Sequence, residues 1–267
     1  MKATERSNGN LLVHLFAERK PVIPFLTAGF PTRSVFMEAA LAAVDAGAGA
    51  IEIGMPFSDP LADGPVIQHT SQKALNAGVD LPEVLRLTER VRQMTDIPIF
   101  LMGYLNPLVQ MGLDRFAAAA VSAGATGTII PDCPVGEAGP WRAASRRQGL
   151  ANVFLMAPTT PDERIAVIDR SSSAFSYCVS VAGVTGARGS VASTTIAFLR
   201  RVKKIARKPY VVGFGISQPA HIAALRPYAS GFVVGSALVK ILDQNRGART
   251  RSKVGSYIKS LVRAAER

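Results

Sequence analysis

The chain has 267 residues, of which 48% are hydrophobic and 19% charged, enough apolar material for a large core and too little charge for a disordered protein. The formal net charge of +12 is uneven: residues 200–267 hold fifteen Lys and Arg against Asp243 and Glu266, a local net of +13, while the remainder is close to neutral. No apolar stretch approaches the roughly 18 residues of a membrane span, and Met1 to Asn10 lacks the apolar centre of a signal peptide, so a soluble, cytoplasmic protein with no membrane partner is expected.

After a short amphipathic segment at Leu11 to Phe16, the run Val22 to Ala28 reads as a buried strand, followed by a helical pattern that Ser34 caps and Gly47 ends. Near-continuous apolar runs recur at Ala50 to Gly54, Ile97 to Tyr104, Gly127 to Pro131, Val153 to Ala157, Phe175 to Ser180, Tyr210 to Gly215 and Gly231 to Val234, eight in all. Helical patterns with polar faces lie between them, as at Pro82 to Met94, Leu108 to Ala123 and Thr194 to Ala206, and no linker interrupts the series. Strands apolar on both faces belong to a parallel sheet covered by helices. Eight of them predict an α/β fold, a single (β/α)8 TIM barrel over residues 1–267 with a short N-terminal helix and a C-terminal helix. An open doubly wound sheet is the rival, but the first strand ends Thr27-Ala28-Gly29-Phe30-Pro31, without a dinucleotide fingerprint.

In such a barrel, chemistry belongs at the C-terminal ends of the strands. The second strand places Glu52 between Ile51 and Ile53, where a core would carry an aliphatic side chain. A carboxylate there is either half of a structural ion pair or a general acid/base whose pKa is raised by apolar surroundings. The loop that follows, Met55 to Pro65, holds Asp59 and Asp63 close to the strand end among rigid prolines. Either aspartate also suits the cap of a helix opening near Pro65. Glu52 and Asp63 form the candidate pair. Glycine-bearing turns follow the later strands at Gly183 to Gly186, at Gly213 and Gly215, and at Gly235-Ser236. Each suits an ordinary tight turn, but their place at barrel strand ends, with Ser236 opening a helical run, points to a bound phosphate group.

Other chemistries find less support. Cys133 and Cys178 lie 45 positions apart in apolar segments and read as buried thiols, and His14, His69 and His221 lack metal-ligand spacing. The basic block from Arg200 to Lys208 raises nucleic acid or acidic lipid as partners, yet it is interleaved with Val202 and Ile205 rather than with stacking aromatics, as expected for a solvated helix face. Because this basic quarter surrounds the strands that bear the glycine turns, its field is expected to speed encounter with an anionic substrate.

The segment Ile51 to Gln68, with its Glu-x-Gly-x-Pro-Phe-Ser-Asp-Pro-x-Ala-Asp-Gly-Pro core, resembles the signature of the tryptophan synthase alpha chain family. Pro24 to Gly29, Gly183 to Gly186, Gly213 to Ser217 and Gly235 to Ala237 resemble further family motifs in the family's order. The resemblance implies reversible retro-aldol cleavage of indole-3-glycerol phosphate to indole and glyceraldehyde 3-phosphate. Glu52 then matches the general acid/base and Asp63 the carboxylate that bonds the indole N–H. Gly186, Gly213, Gly215, Gly235 and Ser236 would hold the phosphate, and Phe25, Tyr104, Ile129 and Tyr177 would border the indole, each aromatic also suiting plain core packing. Thr185 would meet Asp63 when the loop with Gly183, Gly186 and Gly189 closes; Ala182 stands where relatives often carry a hydroxyl. No cofactor or metal is implied for this chain. Pyridoxal phosphate belongs to the family's beta chain, the partner in an alpha2beta2 tetramer that Asp59 and the Pro56 to Pro60 loop would help to contact. A stand-alone lyase that needs no beta chain is the runner-up, and a nucleic-acid-binding protein on an inactive barrel leaves Glu52 and Asp63 without a purpose.

Overall fold

The computed structural model describes residues 8–17, 19–179, 191–213, 215–244 and 248–266. Helix α1 (Asn8–Ala17) precedes strand β1 (Val22–Thr27), every residue of which is buried. Helix α2 (Arg33–Asp45) is capped by Thr32, whose hydroxyl accepts the Val35 N–H at 3.2 Å, two residues earlier than the cap expected at Ser34. Thr32 has the extended backbone that a cap requires, whereas Ser34 is already inside the first turn. Gly47 ends the segment as expected, with a φ of 91° that only glycine adopts cheaply. Strand β2 (Ile51–Gly54) leads to α3 (Pro65–Asn76) and α4 (Leu81–Arg92), the latter capped by Asp80.

Strand β3 (Ile99–Met102) is followed by α5 (Leu105–Met111) and α6 (Leu113–Ser122). The single helix expected from Leu108 to Ala123 is thus two, because Gly112 between them takes a φ of 92° that no helix tolerates. Then come β4 (Gly127–Ile129), α7 (Gly139–Arg147), β5 (Ala151–Val153), β6 (Leu155–Met156), α8 (Asp162–Ser171) and β7 (Ser176–Val179). The chain continues with α9 (Ser193–Ile205), β8 (Tyr210–Gly213), α10 (Pro219–Leu225), β9 (Gly231–Val234), α11 (Ser236–Gln244) and α12 (Ala248–Glu266).

All nine strands are parallel, in the order β5-β4-β3-β2-β1-β9-β8-β7-β6. The fold is the expected TIM barrel, its fifth strand broken in two at Phe154. Residues before the break pair with β4 and those after it with β7, so this one segment closes the ring. Alternation along each strand separates two apolar layers. Val22, Leu26, Ile51, Ile53, Val212 and Val234 face the helices, while Ile23, Phe25, Phe100, Ile129, Tyr177, Val211 and Val233 fill the interior. Leu15 of α1 joins the interior layer, and Phe16 packs edge-on against Phe175 at 5.4 Å, so α1 covers the end where the strands begin. Cys133 and Cys178 are buried free thiols. Among the described residues no helix is long and apolar enough to cross a membrane, and no cluster of three metal-ligating side chains occurs.

Candidate active site

Register decides what Glu52 faces. It pairs across β2 with Phe25 on one side and Phe100 on the other, both interior residues, so its carboxyl points into the barrel. It is 1% exposed, and among the described residues neither carboxylate oxygen has a hydrogen-bond partner. The ion-pair alternative finds no partner among those residues. Desolvation, reinforced by the nearby charge of Asp63, pushes its pKa up to about 8.

Asp63 comes to the same cavity from the loop after β2. The cap of α3 is Gly64, with no side-chain bond, so Asp63 is not spent on the helix end. The loop is braced from within: the Asp63 N–H donates to the Pro60 carbonyl at 3.0 Å and Gln68 Nε2 donates to the Asp63 carbonyl at 2.9 Å. Burial raises the Asp63 pKa to about 6, and a bond from the Tyr104 hydroxyl holds it from rising further. That hydroxyl also accepts the Ala62 N–H at 3.0 Å. Tyr104 is set in turn by Asp132, which accepts the Leu105 N–H at the start of α5 at 2.9 Å, and by Phe57, stacked on its ring at 5.1 Å.

A cavity of about 190 Å³ brings together Phe25, Glu52, Asp63, Tyr177, Gly213, Gly215, Gly235 and Ser236 from the sequence-predicted set. Ala62, Gly64, Ile67, Met102, Val179 and Val233 complete its wall. Tyr104 is outside the lining and reaches the cavity through Asp63, and Ile129 belongs to the interior layer, paired across the sheet with the lining residue Met102. Gly186, Thr185 and the rest of the loop carrying Gly183, Gly189 and Ala182 fall outside the described residues.

The two glycine turns differ in purpose. A Cβ on Gly213 would stand 2.7 Å from Cε1 of Tyr177, so the bare backbone leaves room for that ring. A Cβ on Gly235 would meet Phe25 at an ordinary 3.5 Å. Gly235 immediately precedes α11, whose first-turn amides have no acceptors within the helix and open beside the cavity. One end of the cavity therefore suits an anion and the other a flat apolar ring flanked by two carboxyls of unequal acidity. Asp132 and Gln68 are the supporting residues that residue-by-residue reading did not single out. Asp132, a carboxylate just past the end of β4, is the one that the strand-end rule alone could have found.

A family model described as tryptophan synthase alpha chain matches residues 14–265. The chain is 45% identical over 242 residues to the tryptophan synthase alpha chain of Geotalea uraniireducens, covering 91% of each, and 44% identical to that of Roseiflexus castenholzii, covering 92% of this chain and 94% of the relative. Among solved structures, the tryptophan synthase subunit alpha of Legionella pneumophila superposes with a TM-score of 0.87 at 33% identity, covering 97% of this chain and 98% of that one. A chain from the tryptophan synthase a2b2 complex of Pyrococcus furiosus gives 0.86 at 41% identity, covering 91% and 98%.

Proposed function

Because the chain belongs to the tryptophan synthase alpha chain family, we propose that it is a lyase that cleaves indole-3-glycerol phosphate reversibly to indole and glyceraldehyde 3-phosphate, with Glu52 and Asp63 as its catalytic residues. The observation that carries this reading is the pair of carboxyls in one cavity, Glu52 buried within the barrel and Asp63 at the strand end; burial raises both pKa values, Glu52 to about 8 and Asp63 to about 6, so Glu52 is the better proton donor and Asp63 the better anion.

Cleavage needs both states. Glu52 donates its proton to indole C3, which makes C3 tetrahedral and leaves positive charge on the ring nitrogen. The Asp63 carboxylate accepts the N–H bond and stabilises that charge as it develops. The Glu52 carboxylate then takes the proton from the hydroxyl on the carbon attached to C3. The electron pair of that O–H bond forms the aldehyde C=O, and the C3–carbon bond breaks with its electrons returning to the ring to neutralise the nitrogen. Indole and glyceraldehyde 3-phosphate leave, and Glu52 is again protonated. Tyr177, whose pKa is raised by burial and by both carboxyls, stays neutral beside them.

Phe25 and Tyr177 are assigned to the indole, with Ile129 beside Met102 of the cavity wall and Tyr104 acting through Asp63. The phosphate is assigned to Gly213, Gly215, Gly235 and Ser236, where the α11 amides supply donors; Gly186 and Thr185 rest on the family resemblance alone. The same reading takes residues 1–267 as one domain in the cytoplasm, needing no cofactor of its own and partnered by a beta chain that carries pyridoxal phosphate. Asp59 and the Pro56 to Pro60 loop would help to meet that partner. From there the Phe57 stack on Tyr104 leads directly to Asp63, a physical route for activation. The test is indole release from indole-3-glycerol phosphate by the purified chain, with and without a beta chain. Release that the beta chain accelerates and Glu52→Gln abolishes is the expected result. Full activity alone, with no response to the beta chain, would establish the stand-alone lyase instead.

A further inference from the structure

A second and larger cavity, about 980 Å³, opens at the opposite end of the barrel. Lys20, Pro209 and Ser230 in its wall directly precede or lie just before β1, β8 and β9, so it sits where the strands begin. Arg19, Lys20 and Arg226 line it, against the single described carboxylate Glu266; the neighbouring Glu18 is outside the described residues. None of the ion pairs among the described residues includes Arg19, Lys20, Arg226 or the adjacent Lys203. Lys20 is held in place by backbone instead: its ammonium donates to the carbonyls of Arg226 and, at 2.9 Å, Ala229. Lys203 is fixed in the same way on the Pro227 carbonyl at 2.9 Å. Burial and the charges of Arg226 and Lys203 together lower the Lys20 pKa, so the cations are close enough to repel one another.

A fixed Lys20 repelled by Arg226, with Arg19 in the same concave wall, is relieved by an anion, and the geometry specifies which kind. Lys20 spends two of its three protons on described acceptors, and the two guanidinium groups offer planar forks suited to phosphate oxygens. Ser230 Oγ accepts the Tyr210 N–H at 3.3 Å, which leaves its own O–H to donate. Phe16, Pro209 and Pro227 give the remaining wall an apolar surface, and the volume exceeds what one phosphate fills. We propose that this cavity binds a small molecule bearing a diphosphate group, with the diphosphate on Arg19, Lys20 and Arg226 and the organic part against Phe16 and the prolines.

Isothermal titration of the full chain with pyrophosphate, orthophosphate and ADP, at fixed ionic strength, tests this. Pyrophosphate and ADP are expected to bind one per chain and more tightly than orthophosphate. Arg19→Gln/Arg226→Gln should weaken both by about tenfold or more, the loss expected for two charge-assisted contacts. Arg19→Gln alone, at an exposed side chain, should weaken them by a smaller factor and serves if the double variant does not fold. Glycerol 3-phosphate, a probe for the phosphate end of the candidate active-site cavity, should not displace pyrophosphate. Displacement by glycerol 3-phosphate, unchanged affinity in both variants, or no saturable binding would each overturn the proposal.

Discussion

Glu52 and Asp63 are the same functional group in two environments, and the difference between them can be measured. With Glu52 pushed up to about 8 and Asp63 to about 6, the pair is correctly charged between those values. Activity should therefore follow a bell, falling below pH 6 as Asp63 protonates and above pH 8 as Glu52 ionises, the two limbs belonging to the coupled pair. Glu52→Gln keeps the shape and removes proton exchange, so kcat should fall at least about 100-fold with binding largely kept. Asp63→Asn should be similarly impaired by single-turnover assay. Stability gives an independent check. Below the ordinary carboxyl value near 4.5, Glu52 is protonated in both folded and unfolded chains and costs nothing. Between 4.5 and about 8 the unfolded chain releases a proton that the folded chain keeps, so wild-type stability is lost as pH rises through that window. The Tm of Glu52→Gln minus that of wild type should grow from pH 4.5 to 8 and then level. Equal curves would mean that Glu52 is not buried as a neutral acid. Tyr104→Phe removes the bond that restrains the Asp63 pKa, so the acid limb should move to higher pH and kcat should drop by about tenfold.

At the scale of elements, each site residue owes its position to a local decision of the chain. Alternation in β2 turns Glu52 inward while Ile51 and Ile53 face the helices, and this much is legible from one carboxylate set in an apolar run. The position of Asp63 was legible only as a choice between capping and catalysis, because a cap depends on which backbone turns helical first, and Gly64 took that place. The same uncertainty shifted the α2 cap from Ser34 to Thr32. The break at Phe154 could not be read, since strand closure is set by partners distant in sequence: β4 on one side and β7 on the other. Nor could the purpose of the glycines be separated without their neighbours. Gly213→Ala should drive Tyr177 into the cavity and weaken indole and indole-3-glycerol phosphate alike, by about tenfold, as overpacking against a buried ring does. Gly235→Ala meets only an ordinary contact and should leave both affinities within about threefold. Binding of the two ligands to the two variants, measured side by side, checks the distinction, and a reversed ranking would show that Gly235, not Gly213, is the closely packed position.

Across the whole molecule, several charges of the basic quarter lie at the end away from the chemistry. Summed along the sequence, the basic quarter surrounds the strands that carry the glycine turns. In three dimensions three of its side chains are tied near the strand beginnings: Arg200 to the Tyr228 hydroxyl at 3.2 Å, Lys203 to the Pro227 carbonyl, and Lys208 to the Arg170 and Ser172 carbonyls at 3.0 and 2.5 Å, while Arg201 reaches the other end, on the Pro158 and Thr160 carbonyls after β6 and neutralised by Asp162. Four-residue strands at about 3.3 Å per residue put roughly 13 Å of barrel between that end and the candidate active site. The Debye length at physiological salt is about 8 Å, so solvent screens the exposed Lys203, Lys204 and Arg207 from a substrate entering at the other end. The field expected from the sequence to speed substrate encounter is accordingly weak where it would act. Neutralising Lys203, Lys204 and Arg207 together should leave kcat unchanged at every salt concentration and kcat/KM unchanged near 0.15 M. Near 0.01 M, where the Debye length is about 30 Å, a decrease of no more than about twofold in kcat/KM is expected. Stopped-flow measurement across that range decides the matter: a loss that persists at 0.15 M would show that the basic end guides the substrate despite its distance, and would return the charge to the active site's own field.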